Sequence, residues 1–416
     1  MMLYLQKSKV ESQKLKVTIT GSKSETNRLL LLQALYPNLK LENASNSDDS
    51  EVMLQALTDD LSSRAQSREF NIHHAGTAMR FLTAYFAIQE NNEVVLTGST
   101  RMKERPIKIL VDALRQLGAE ISYEENDGFP PIRIKGKKLI QNKVSLAANV
   151  SSQYISALLL IAPKLENGLE FTLEGKVTSI PYIKMTLALL NEIGVETSFV
   201  SNIIIVKPKL SIINYQLLIE SDWSSASYFY SIVALSEIGT EITLSNYKQN
   251  SLQGDSVLAE IYENFGVVTV FLKDTIQLQK VSNCQSQIIN CQLNNAPDIA
   301  QTIAVTCFGL GISCHLKGLH TLKIKETDRV VALKIELEKL GAHVTVTNES
   351  LTLEASDKIN SDVKIKTYQD HRMAMAFAPL ALKTNIIIED AEVVSKSYPS
   401  FWDDLKAIGF DLQKIQ

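Results

Sequence analysis

The sequence predicts an α/β protein of two similar domains, with helices inside and sheets outside, from three repeating features. The first is a helix that ends at a glycine and leads into a strand. Five glycines mark it, 68 to 76 residues apart: Gly118, Gly194, Gly266, Gly341 and Gly409. Each fits the position just after a helix, where the left-handed backbone costs glycine least. A sixth, degenerate copy near residues 52–60 lacks the glycine.

The second feature is a further set of helices that alternates with the first set along the chain. Most of them begin with residues that cap helix N-termini. The predicted starts are Ser24, Gly76, Ser151, Ser224, Pro297 and Asp370. Several run into long apolar stretches, such as residues 154–162 and 374–382. A helix that is apolar nearly all round is buried, so we expect these helices to form the interior.

The third feature is a β-rich run before each helix of the first set. The six runs lie at residues 39–42, 93–96, 169–173, 241–244, 313–316 and 385–388. Each unit of about 70 residues therefore contains helix, strand, helix and strand, with an extra strand after them. Six units divide into three plus three, which predicts two domains of about 200 residues each.

Composition narrows the function to an enzyme or a binding protein. The chain has 416 residues, of which 45% are hydrophobic and 21% charged, as in ordinary globular proteins. A net charge of −4 argues against nucleic-acid binding. No apolar stretch reaches the ~18 residues that span a membrane, and residues 1–20 lack a signal-peptide pattern, so we expect a cytoplasmic protein. The four cysteines form no CxxC pair, which predicts reduced thiols and no metal site.

Cationic and hydroxyl residues gather where strands give way to helices. Residues 21–28 (GSKSETNR) place a lysine, an arginine and hydroxyls at a helix start, where free amides and the helix dipole favour anions. Gly76 allows a ligand to approach the backbone closely, and Arg80 follows one turn later. We interpret Arg80 equally as an anion ligand or as a partner in a salt bridge inside the domain.

Three further charged runs occupy corresponding positions in the repeat. They are residues 101–106 (RMKERP), 325–329 (KETDR) and 370–372 (DHR). Pro106 fits the first residue of the next helix, and Asp298 is an acid near a dipole-positive helix start. No P-loop or GxGxxG pattern is present. We expect these cations to converge on a cleft that suits small polyanions, and nothing in the sequence offers counter-charges inside that cleft.

Ten motifs, taken in order, connect the chain to a known family. They are GSKSETNR, AGTAMR, RMKERP, SSQ, SIPY, ESDWSSASY, QGD, KETDR, DHRMAMAF and SKSYPSFW. Together they resemble the 5-enolpyruvylshikimate-3-phosphate synthases over essentially the whole chain. The resemblance implies an inside-out α/β barrel of two domains, each of three βαβαββ repeats, six in all. It also implies that the first domain is residues 21–220, that the second is residues 1–20 plus 221–416, and that the active site lies in the cleft between them.

The resemblance further implies an activity of the shikimate pathway, on the route to chorismate and the aromatic amino acids. The enolpyruvyl group of phosphoenolpyruvate would pass to the 5-hydroxyl of shikimate 3-phosphate, releasing phosphate through a tetrahedral intermediate. No metal or organic cofactor would be needed. We expect a cytoplasmic monomer with no nucleic-acid or membrane partner, and closure of the two domains on shikimate 3-phosphate.

Site residues follow from the resemblance motif by motif. The shikimate 3-phosphate ligands would be Lys23, Ser24, Arg28, Ser151, Ser152, Gln153, Ser179, Tyr182, Asp298 and Lys325. The phosphoenolpyruvate ligands would be Lys23, Gly76, Arg101, Gln153, Arg329, Arg372 and Lys396. The catalytic residues would be Lys23, Asp298 and Glu326. Asp298 would take the hydroxyl proton, and Glu326 would act at the methylene carbon.

Three positions depart from the family pattern. Phe81 stands where many members have proline, and His74 and Thr321 stand where asparagine is usual. They leave glyphosate sensitivity open. Two alternatives also remain: the sister transferase acting on UDP-N-acetylglucosamine, and an inactive phosphate-sugar binding protein. The sister family usually carries a cysteine in a loop of its first domain, whereas all four cysteines here follow residue 283.

Overall fold

The computed structural model describes residues 1–10, 15–62, 68–148, 150–175, 177 and 180–415, and they form an α/β structure. The strands are β1 (Met2–Leu5), β2 (Leu15–Val17), β3 (Leu39–Glu42), β4 (Arg68–Asn71), β5 (Glu93–Thr97), β6 (Glu120–Tyr123), β7 (Ile132–Lys135), β8 (Lys143–Ala147), β9 (Leu169–Glu174), β10 (Thr197–Val200), β11 (Ile203–Val206), β12 (Tyr215–Leu218), β13 (Glu241–Ser245), β14 (Val267–Phe271), β15 (Thr275–Lys280), β16 (Ile288–Gln292), β17 (Ser313–Lys317), β18 (Val344–Val346), β19 (Ser350–Leu353), β20 (Val363–Ile365), β21 (Ile386–Ile388) and β22 (Leu412–Ile415).

Helices connect these strands. The α-helices are α1 (Lys23–Leu35), α2 (Asp48–Ser62), α3 (Gly76–Ala87), α4 (Thr100–Lys103), α5 (Lys108–Gln116), α6 (Ser152–Ile161), α7 (Ile180–Glu192), α8 (Trp223–Leu235), α9 (Leu258–Ile261), α10 (Ala300–Gly309), α11 (Arg329–Lys339), α12 (His371–Phe377) and α13 (Phe401–Ala407). The 3₁₀ helices are Ala162–Lys164, Gly254–Val257, Tyr262–Phe265, Pro297–Ile299, His320–Ile324, Ala378–Leu382 and Ala391–Lys396. Within the described residues, no helix is long and apolar enough to cross a membrane.

Five four-stranded sheets share one pairing pattern, in which two parallel strands are followed by two antiparallel ones. Their strand orders are β4-β5-β7-β6, β8-β9-β11-β10, β16-β17-β19-β18, β2-β13-β15-β14 and β20-β21-β1-β22. A sixth sheet is the parallel pair β12-β3. In β4-α3-β5 the parallel strands flank a buried helix, the arrangement that a parallel connection requires. All six β-rich runs predicted from the sequence are strands.

The chain divides into two compact units. The first unit is Met1–Gly21 with Glu220–Gln416, and the second is Ser22–Ile219. Strand β2 pairs with β13 inside the first unit, and β12 pairs with β3 inside the second. The strand before α1 and the strand before α8 are thus each in a different unit from the helix that follows. The chain therefore passes from one unit to the other at residues 21–22 and 219–220.

The predicted interior helices are buried. Every residue of α8, α10 and α12 is buried, as are all residues of α3 except Thr77. The predicted left-handed glycines are confirmed. The backbone φ angles lie between 74° and 105° at Gly118, Gly194, Gly266, Gly341 and Gly409. These values lie in the left-handed region that favours glycine.

The prediction that Pro106 begins α5 is wrong, because this helix begins at Lys108 and its N-cap is Ile107. Two side chains donate hydrogen bonds to the Pro106 carbonyl oxygen. The Arg80 Nη2 donates to it at 3.3 Å and the Tyr154 hydroxyl at 2.6 Å. The amide of Leu110 instead donates to the carbonyl of Ile107. Tertiary contacts thus hold Pro106 outside the helix.

Candidate functional site

In the second unit, the start of α1 positions Lys23. Ser22 is the N-cap of this helix, and its side chain accepts a hydrogen bond from the amide of Glu25. The Lys23 ammonium lies 3.5 Å from a carboxylate oxygen of Asp49 in the first turn of α2. The other Asp49 oxygen is 3.8 Å from His74 Nε2. Lys23 is therefore a paired cation in a partly buried setting.

Arg28 is buried and joins three helices of the second unit. Its guanidinium donates to the Thr186 hydroxyl at 2.8 Å, to the Ser24 carbonyl at 2.6 Å and to the Ser156 hydroxyl at 3.0 Å. The rings of Phe81 and Tyr182 lie 5.5 and 5.9 Å from the guanidinium carbon. Burial lowers the pKa of Arg28 to about 10, which still leaves it charged at neutral pH.

Besides His74, two other residues depart from the family pattern, Phe81 and Thr321, and the structure shows the environment of both. Phe81 is buried and forms the aromatic face beside Arg28, so the residue at this position supports a predicted ligand. Thr321 lies in the 3₁₀ helix His320–Ile324, and its buried hydroxyl has no hydrogen-bond partner among the residues that the structure describes.

At the start of α3, two arginine side chains contact Gly76. Arg80 donates to the Gly76 carbonyl at 2.9 Å, and the Arg105 guanidinium lies against Gly76. Burial, together with the charge of Arg105, lowers the pKa of Arg80 to about 10. Arg101, which was predicted to act here, is instead largely exposed and pairs with Glu104 at 2.9 Å.

The start of α6 supplies the predicted neutral donors. Ser151 caps the helix by accepting from the amide of Gln153, and Ser152 is buried. The Gln153 side-chain nitrogen donates to the Thr77 hydroxyl at 3.0 Å, which ties α6 to the start of α3. Ser179 lies outside the described residues.

In the first unit, Arg329 is the centre of a buried charge network. Its side chain is only 2% exposed and contacts Asp298 at 2.7 Å, Glu326 at 2.7 Å and Asp370 at 2.6 Å. Burial alone would lower the pKa of Arg329, but the three carboxylates outweigh it and raise the pKa. Arg329 therefore stays cationic and holds both predicted proton-transfer carboxylates, Asp298 and Glu326, at hydrogen-bond distance.

Asp298 has three cations around it. Besides Arg329, the Lys325 ammonium is 3.4 Å away and the Arg372 guanidinium 3.5 Å away. Burial would raise the pKa of Asp298, but Lys325, Arg372 and Arg329 hold it well below its usual value. The carboxylate is ionised at neutral pH, so it is able to accept a proton.

Arg372 continues the network to a further carboxylate. Its Nη2 donates to the Ser224 hydroxyl at 3.2 Å, and Ser224 in turn donates to Asp255. Asp370 caps α12 by accepting from the amide of Arg372 at 2.9 Å. Burial and the negative charge of Asp298 raise the pKa of Asp255 to about 6, with Arg372 opposing them. Two carboxylates of one cluster therefore have pKa values shifted in opposite directions.

Lys396 ends the 3₁₀ helix Ala391–Lys396, and its ammonium donates to the Gln369 carbonyl at 2.9 Å. Tyr368 and Gln369 both have left-handed backbones, with φ of 55° and 57°. This conformation is costly for residues other than glycine. The two residues precede Asp370, so the strained turn lies directly beside the charge network.

The predicted residues of the two units form two sets, and we call each set a cluster. The first unit contains Asp298, Lys325, Glu326, Arg329, Arg372 and Lys396, and the second contains Lys23, Ser24, Arg28, Gly76, Ser151, Ser152, Gln153 and Tyr182. The prediction that the cations lack counter-charges is wrong, because Lys23, Arg329 and Arg372 each have a carboxylate within 3.5 Å. The sequence alone did not show which acidic side chains form ion pairs with which basic ones.

Five residues of these clusters were missed as site residues. They are Asp49, Arg105, Ser224, Asp255 and Asp370. Four of them occur inside the quoted motifs RMKERP, ESDWSSASY, QGD and DHRMAMAF. The motifs therefore contained these four residues, but the contacts that identify them as site residues form only in the tertiary structure.

Comparison with known proteins gives one consistent result. The profile of EPSP synthase (3-phosphoshikimate 1-carboxyvinyltransferase) matches residues 7–405. The 3-phosphoshikimate 1-carboxyvinyltransferase of Bacteroides fragilis strain YCH46 is 44% identical over 405 residues, covering 95% of this chain and 96% of the relative. The enzyme of the same name from Haemophilus influenzae strain Rd is 37% identical over 421 residues, covering 94% and 96%.

A solved structure agrees at the level of the fold. EPSP synthase from Acinetobacter baumannii superposes with a TM-score of 0.82 at 20% identity, covering 99% of this chain and 100% of that one. At this identity the likeness supports the α/β fold alone.

Proposed function

The chain belongs to the EPSP synthase family, the 3-phosphoshikimate 1-carboxyvinyltransferases, and from this premise we propose how its two charged clusters carry out the reaction of that family. The activity is a transferase step of the shikimate pathway. The enolpyruvyl group of phosphoenolpyruvate passes to the 5-hydroxyl of shikimate 3-phosphate, and phosphate is released. The reaction proceeds by addition and elimination through a tetrahedral ketal phosphate.

One observation carries the proposal: the buried Arg329 holds Asp298 and Glu326 at 2.7 Å each. The reaction needs one group that takes the proton of the attacking hydroxyl. It also needs one that moves a proton on and off the methylene carbon. We assign the first role to Asp298 and the second to Glu326. General acid–base catalysis requires both groups to be held within reach of the substrate, which a shared arginine favours.

Substrate binding would tune Asp298 for its role. Without substrate, Lys325, Arg372 and Arg329 hold the pKa of this carboxyl well below its usual value, which makes it a weak base. The anionic groups of the substrates would bind the same cations and take part of their charge away from Asp298. The pKa of Asp298 would then rise toward the operating pH, where a general base is most effective.

Each substrate would be bound by residues of both units. Shikimate 3-phosphate would be bound by Lys23, Ser24, Arg28, Ser151, Ser152, Gln153, Ser179, Tyr182, Asp298 and Lys325. Phosphoenolpyruvate would be bound by Lys23, Gly76, Arg101, Gln153, Arg329, Arg372 and Lys396. Charge-assisted hydrogen bonds from Arg and Lys are the strong contacts to phosphate and carboxylate, which supports these roles.

The finer architecture belongs to the same proposal. We assign the two units to the two domains of an inside-out α/β barrel with six βαβαββ repeats, and the active site to the cleft between the domains. The shared pairing pattern of five sheets supports this assignment. The binding of shikimate 3-phosphate would close the domains, because its ligands come from both. Small-angle scattering with saturating shikimate 3-phosphate tests the closure, and an unchanged radius of gyration would contradict it.

We also propose that the enzyme works as a cytoplasmic monomer without a metal or organic cofactor. The chemistry supports this part, since proton transfer and anion binding are the only tasks and the side chains of both clusters can supply them. Analytical ultracentrifugation tests the monomer, and activity after treatment with a chelator tests the metal independence.

The decisive experiment is phosphate release from phosphoenolpyruvate by the purified chain. The assay is run with shikimate 3-phosphate, with UDP-N-acetylglucosamine, and with neither. We expect release with shikimate 3-phosphate alone. Release with UDP-N-acetylglucosamine would assign the sister activity, and absence of release in all three would leave a binding protein.

A further inference from the structure

Residues 367–370 form a tight turn directly before α12. The Thr367 carbonyl accepts a hydrogen bond from the Asp370 amide at 2.9 Å, and the two central residues, Tyr368 and Gln369, have φ of 55° and 57°. Turns with positive φ at both central residues strongly favour asparagine and glycine there. Tyrosine and glutamine are unfavourable in this conformation because Cβ crowds the following carbonyl oxygen. Contacts from elsewhere in the chain must therefore hold the turn.

One such contact comes from Glu336 on helix α11. Its carboxylate is fully buried and accepts from the Tyr368 hydroxyl at 2.7 Å and from the Lys366 amide at 3.1 Å. Lys339, almost one turn along the same helix, donates to the two carboxylate oxygens at 2.8 and 2.7 Å. A buried carboxylate with four hydrogen bonds is held in one orientation. Glu336 therefore anchors the chain on both sides of Thr367, at Lys366 and at Tyr368.

The Tyr368 side chain is the donor that links Glu336 to the turn. Burial raises the pKa of Tyr368, and the hydrogen bond to Glu336 and its negative charge raise it further. The hydroxyl therefore keeps its proton at neutral pH. The Lys366 ammonium lies 5.4 Å from the centre of the Tyr368 ring, a cation–π contact on the other part of the side chain. The ring and the hydroxyl of this residue are thus both held.

The turn in its own right contacts three cations of the first unit. The Gln369 carbonyl accepts from the Lys396 ammonium at 2.9 Å. The Asp370 carboxylate accepts from the Arg329 side chain at 2.6 Å and from the Arg372 amide at 2.9 Å. These three cations are the proposed phosphoenolpyruvate ligands of the first unit. A change in the backbone of the turn would therefore move all three.

We propose that Glu336 is a positioning residue for the binding of phosphoenolpyruvate. It holds the turn of residues 367–370 through Tyr368, and the turn orients the three cations. The inference rests on the proposed function, in which these cations bind phosphoenolpyruvate. Glu336 and Tyr368 belong to neither proposed ligand set, so both act through other residues. The experiments must therefore distinguish positioning of the cations from a contribution to folding alone.

The first test is steady-state kinetics of Tyr368→Phe, which removes the hydroxyl and keeps the ring. KM for phosphoenolpyruvate should rise by about tenfold, because a hydrogen bond to a charged group is lost and the turn relaxes. The kcat should stay within about threefold of wild type, since loss of binding that the substrate and the transition state share raises KM alone. KM for shikimate 3-phosphate should change little, because most of its proposed ligands lie in the second unit.

A contribution to folding alone would give a different pattern. It would lower the fraction of active protein, and with it the apparent kcat, but leave KM of the folded molecules unchanged. A KM for phosphoenolpyruvate in Tyr368→Phe within about twofold of wild type would therefore overturn the inference.

Tyr4→Phe is the matched control. The Tyr4 hydroxyl donates to a carboxylate oxygen of Asp362 at 3.0 Å in the same unit, so this variant loses the same kind of hydrogen bond away from the turn. We expect its KM for phosphoenolpyruvate to match that of the wild type. An equal rise of KM in Tyr4→Phe and Tyr368→Phe would show that the effect does not come from the turn, and would also overturn the inference.

Variants of Glu336 test the contact itself. Glu336→Gln keeps an oxygen that accepts from the Tyr368 hydroxyl, so its KM for phosphoenolpyruvate should rise less than that of Glu336→Ala. The effects of Glu336→Ala and Tyr368→Phe on KM should not add, because both break the same hydrogen bond. Additive effects would show that Glu336 does not act through Tyr368. The Tyr368→Phe test stands by itself if Glu336→Ala fails to fold.

Chemical labelling of Lys396 separates this inference from the proposed function. The substrate-free protein is acetylated with a trace of acetic anhydride, and peptide mass spectrometry measures labelling of Lys396 relative to the exposed Lys406. In Tyr368→Phe the Gln369 carbonyl should no longer hold the Lys396 ammonium, and its relative labelling should rise at least about threefold, as for the loss of one ordinary hydrogen bond.

The two failures then have different signatures. If the wild type fails to release phosphate from phosphoenolpyruvate, the proposed function falls, and the labelling still decides whether Tyr368 positions Lys396. Equal labelling of Lys396 in the wild type and Tyr368→Phe would refute the positioning role, even in a fully active enzyme.

Discussion

At the scale of single residues, the free-energy cost of burying a charge explains why three carboxylates surround Arg329 in the first unit. Arg329 is 2% exposed, and an unpaired ion at this depth would cost several kcal/mol. Asp298, Glu326 and Asp370 remove this cost by pairing with it. Removal of any one partner therefore changes the energy of the remaining ones, so catalytic and structural effects must be measured separately.

Asp298→Asn and Glu326→Gln should both lower turnover by at least about 100-fold, the smaller contribution of a general acid or base. They should differ in stability. Asp298→Asn leaves three cations without their shared carboxylate and should reduce the free energy of unfolding by about 3–5 kcal/mol. Glu326 is 34% exposed, so Glu326→Gln should cost much less. Turnover and urea unfolding of both variants check this pair of outcomes. Loss of shikimate 3-phosphate binding in step with turnover would make the roles positional.

The stability of the protein should depend on pH through Asp255. Its pKa is raised from 3.8 to about 6 in the folded state. A raised pKa means that the folded state binds the proton more tightly than the unfolded state. The stabilisation is therefore complete below about pH 4 and is lost as the pH rises through 6. Two pKa units correspond to about 3 kcal/mol.

Asp255→Asn should abolish this dependence. The free energy of unfolding of the wild type, relative to that of the variant, should fall between pH 4 and pH 6 and stay constant above. Urea unfolding across this range measures the difference. A difference that does not vary with pH would show that Asp255 keeps an ordinary pKa.

At the scale of elements, helices α8 and α10 are fully buried yet carry hydroxyl residues along their contact. Ser227 pairs with Thr302 at 3.0 Å and Ser231 with Thr306 at 2.8 Å. The Tyr262 hydroxyl lies 2.9 Å from that of Thr306. These bonds satisfy polar groups that burial would otherwise leave unpaired, so they fix how the two helices pack.

Thr306→Val should therefore destabilise the protein although it conserves shape. It removes one hydroxyl and leaves those of Ser231 and Tyr262 without their partner, at about 1–3 kcal/mol for a buried unsatisfied group. Urea unfolding measures the loss. Thr345→Val is the control, because Thr345 is an exposed residue of strand β18. Equal stabilities of the two variants would contradict the proposed role of the buried hydroxyls.

At the scale of the whole molecule, the two ends of the chain meet in one sheet. Strand β1 lies between β21 and β22, antiparallel to both. The first five residues therefore complete a sheet whose other strands come from residues 363–415. This sheet of the first unit therefore combines strands from both ends of the sequence.

Deletion of residues 1–5 should destabilise the first unit and leave residues 22–219 protected. Strands β21 and β22 would lose their shared partner and its backbone hydrogen bonds. Hydrogen exchange followed by mass spectrometry should show faster exchange in these strands than in β4 to β7. Lys7→Ser, at an exposed position outside β1, is the control. Unchanged exchange in β21 and β22 would refute the prediction.

The sequence by itself determined the local elements and the family. The glycine caps, the buried helices and the six β-rich runs depend on spacing and residue type, which are properties of neighbouring residues. Tertiary structure alone decided three other features. It assigned β2 and β12 to sheets away from the helices that follow them, it paired the cations with Asp49, Asp298 and Asp370, and it placed Arg105 at Gly76. The physical reason is the same in each case: a strand partner or a counter-charge is chosen by distance in space. Among these three features, the most distant partners along the chain are Leu15 and Ile242, which are 227 positions apart.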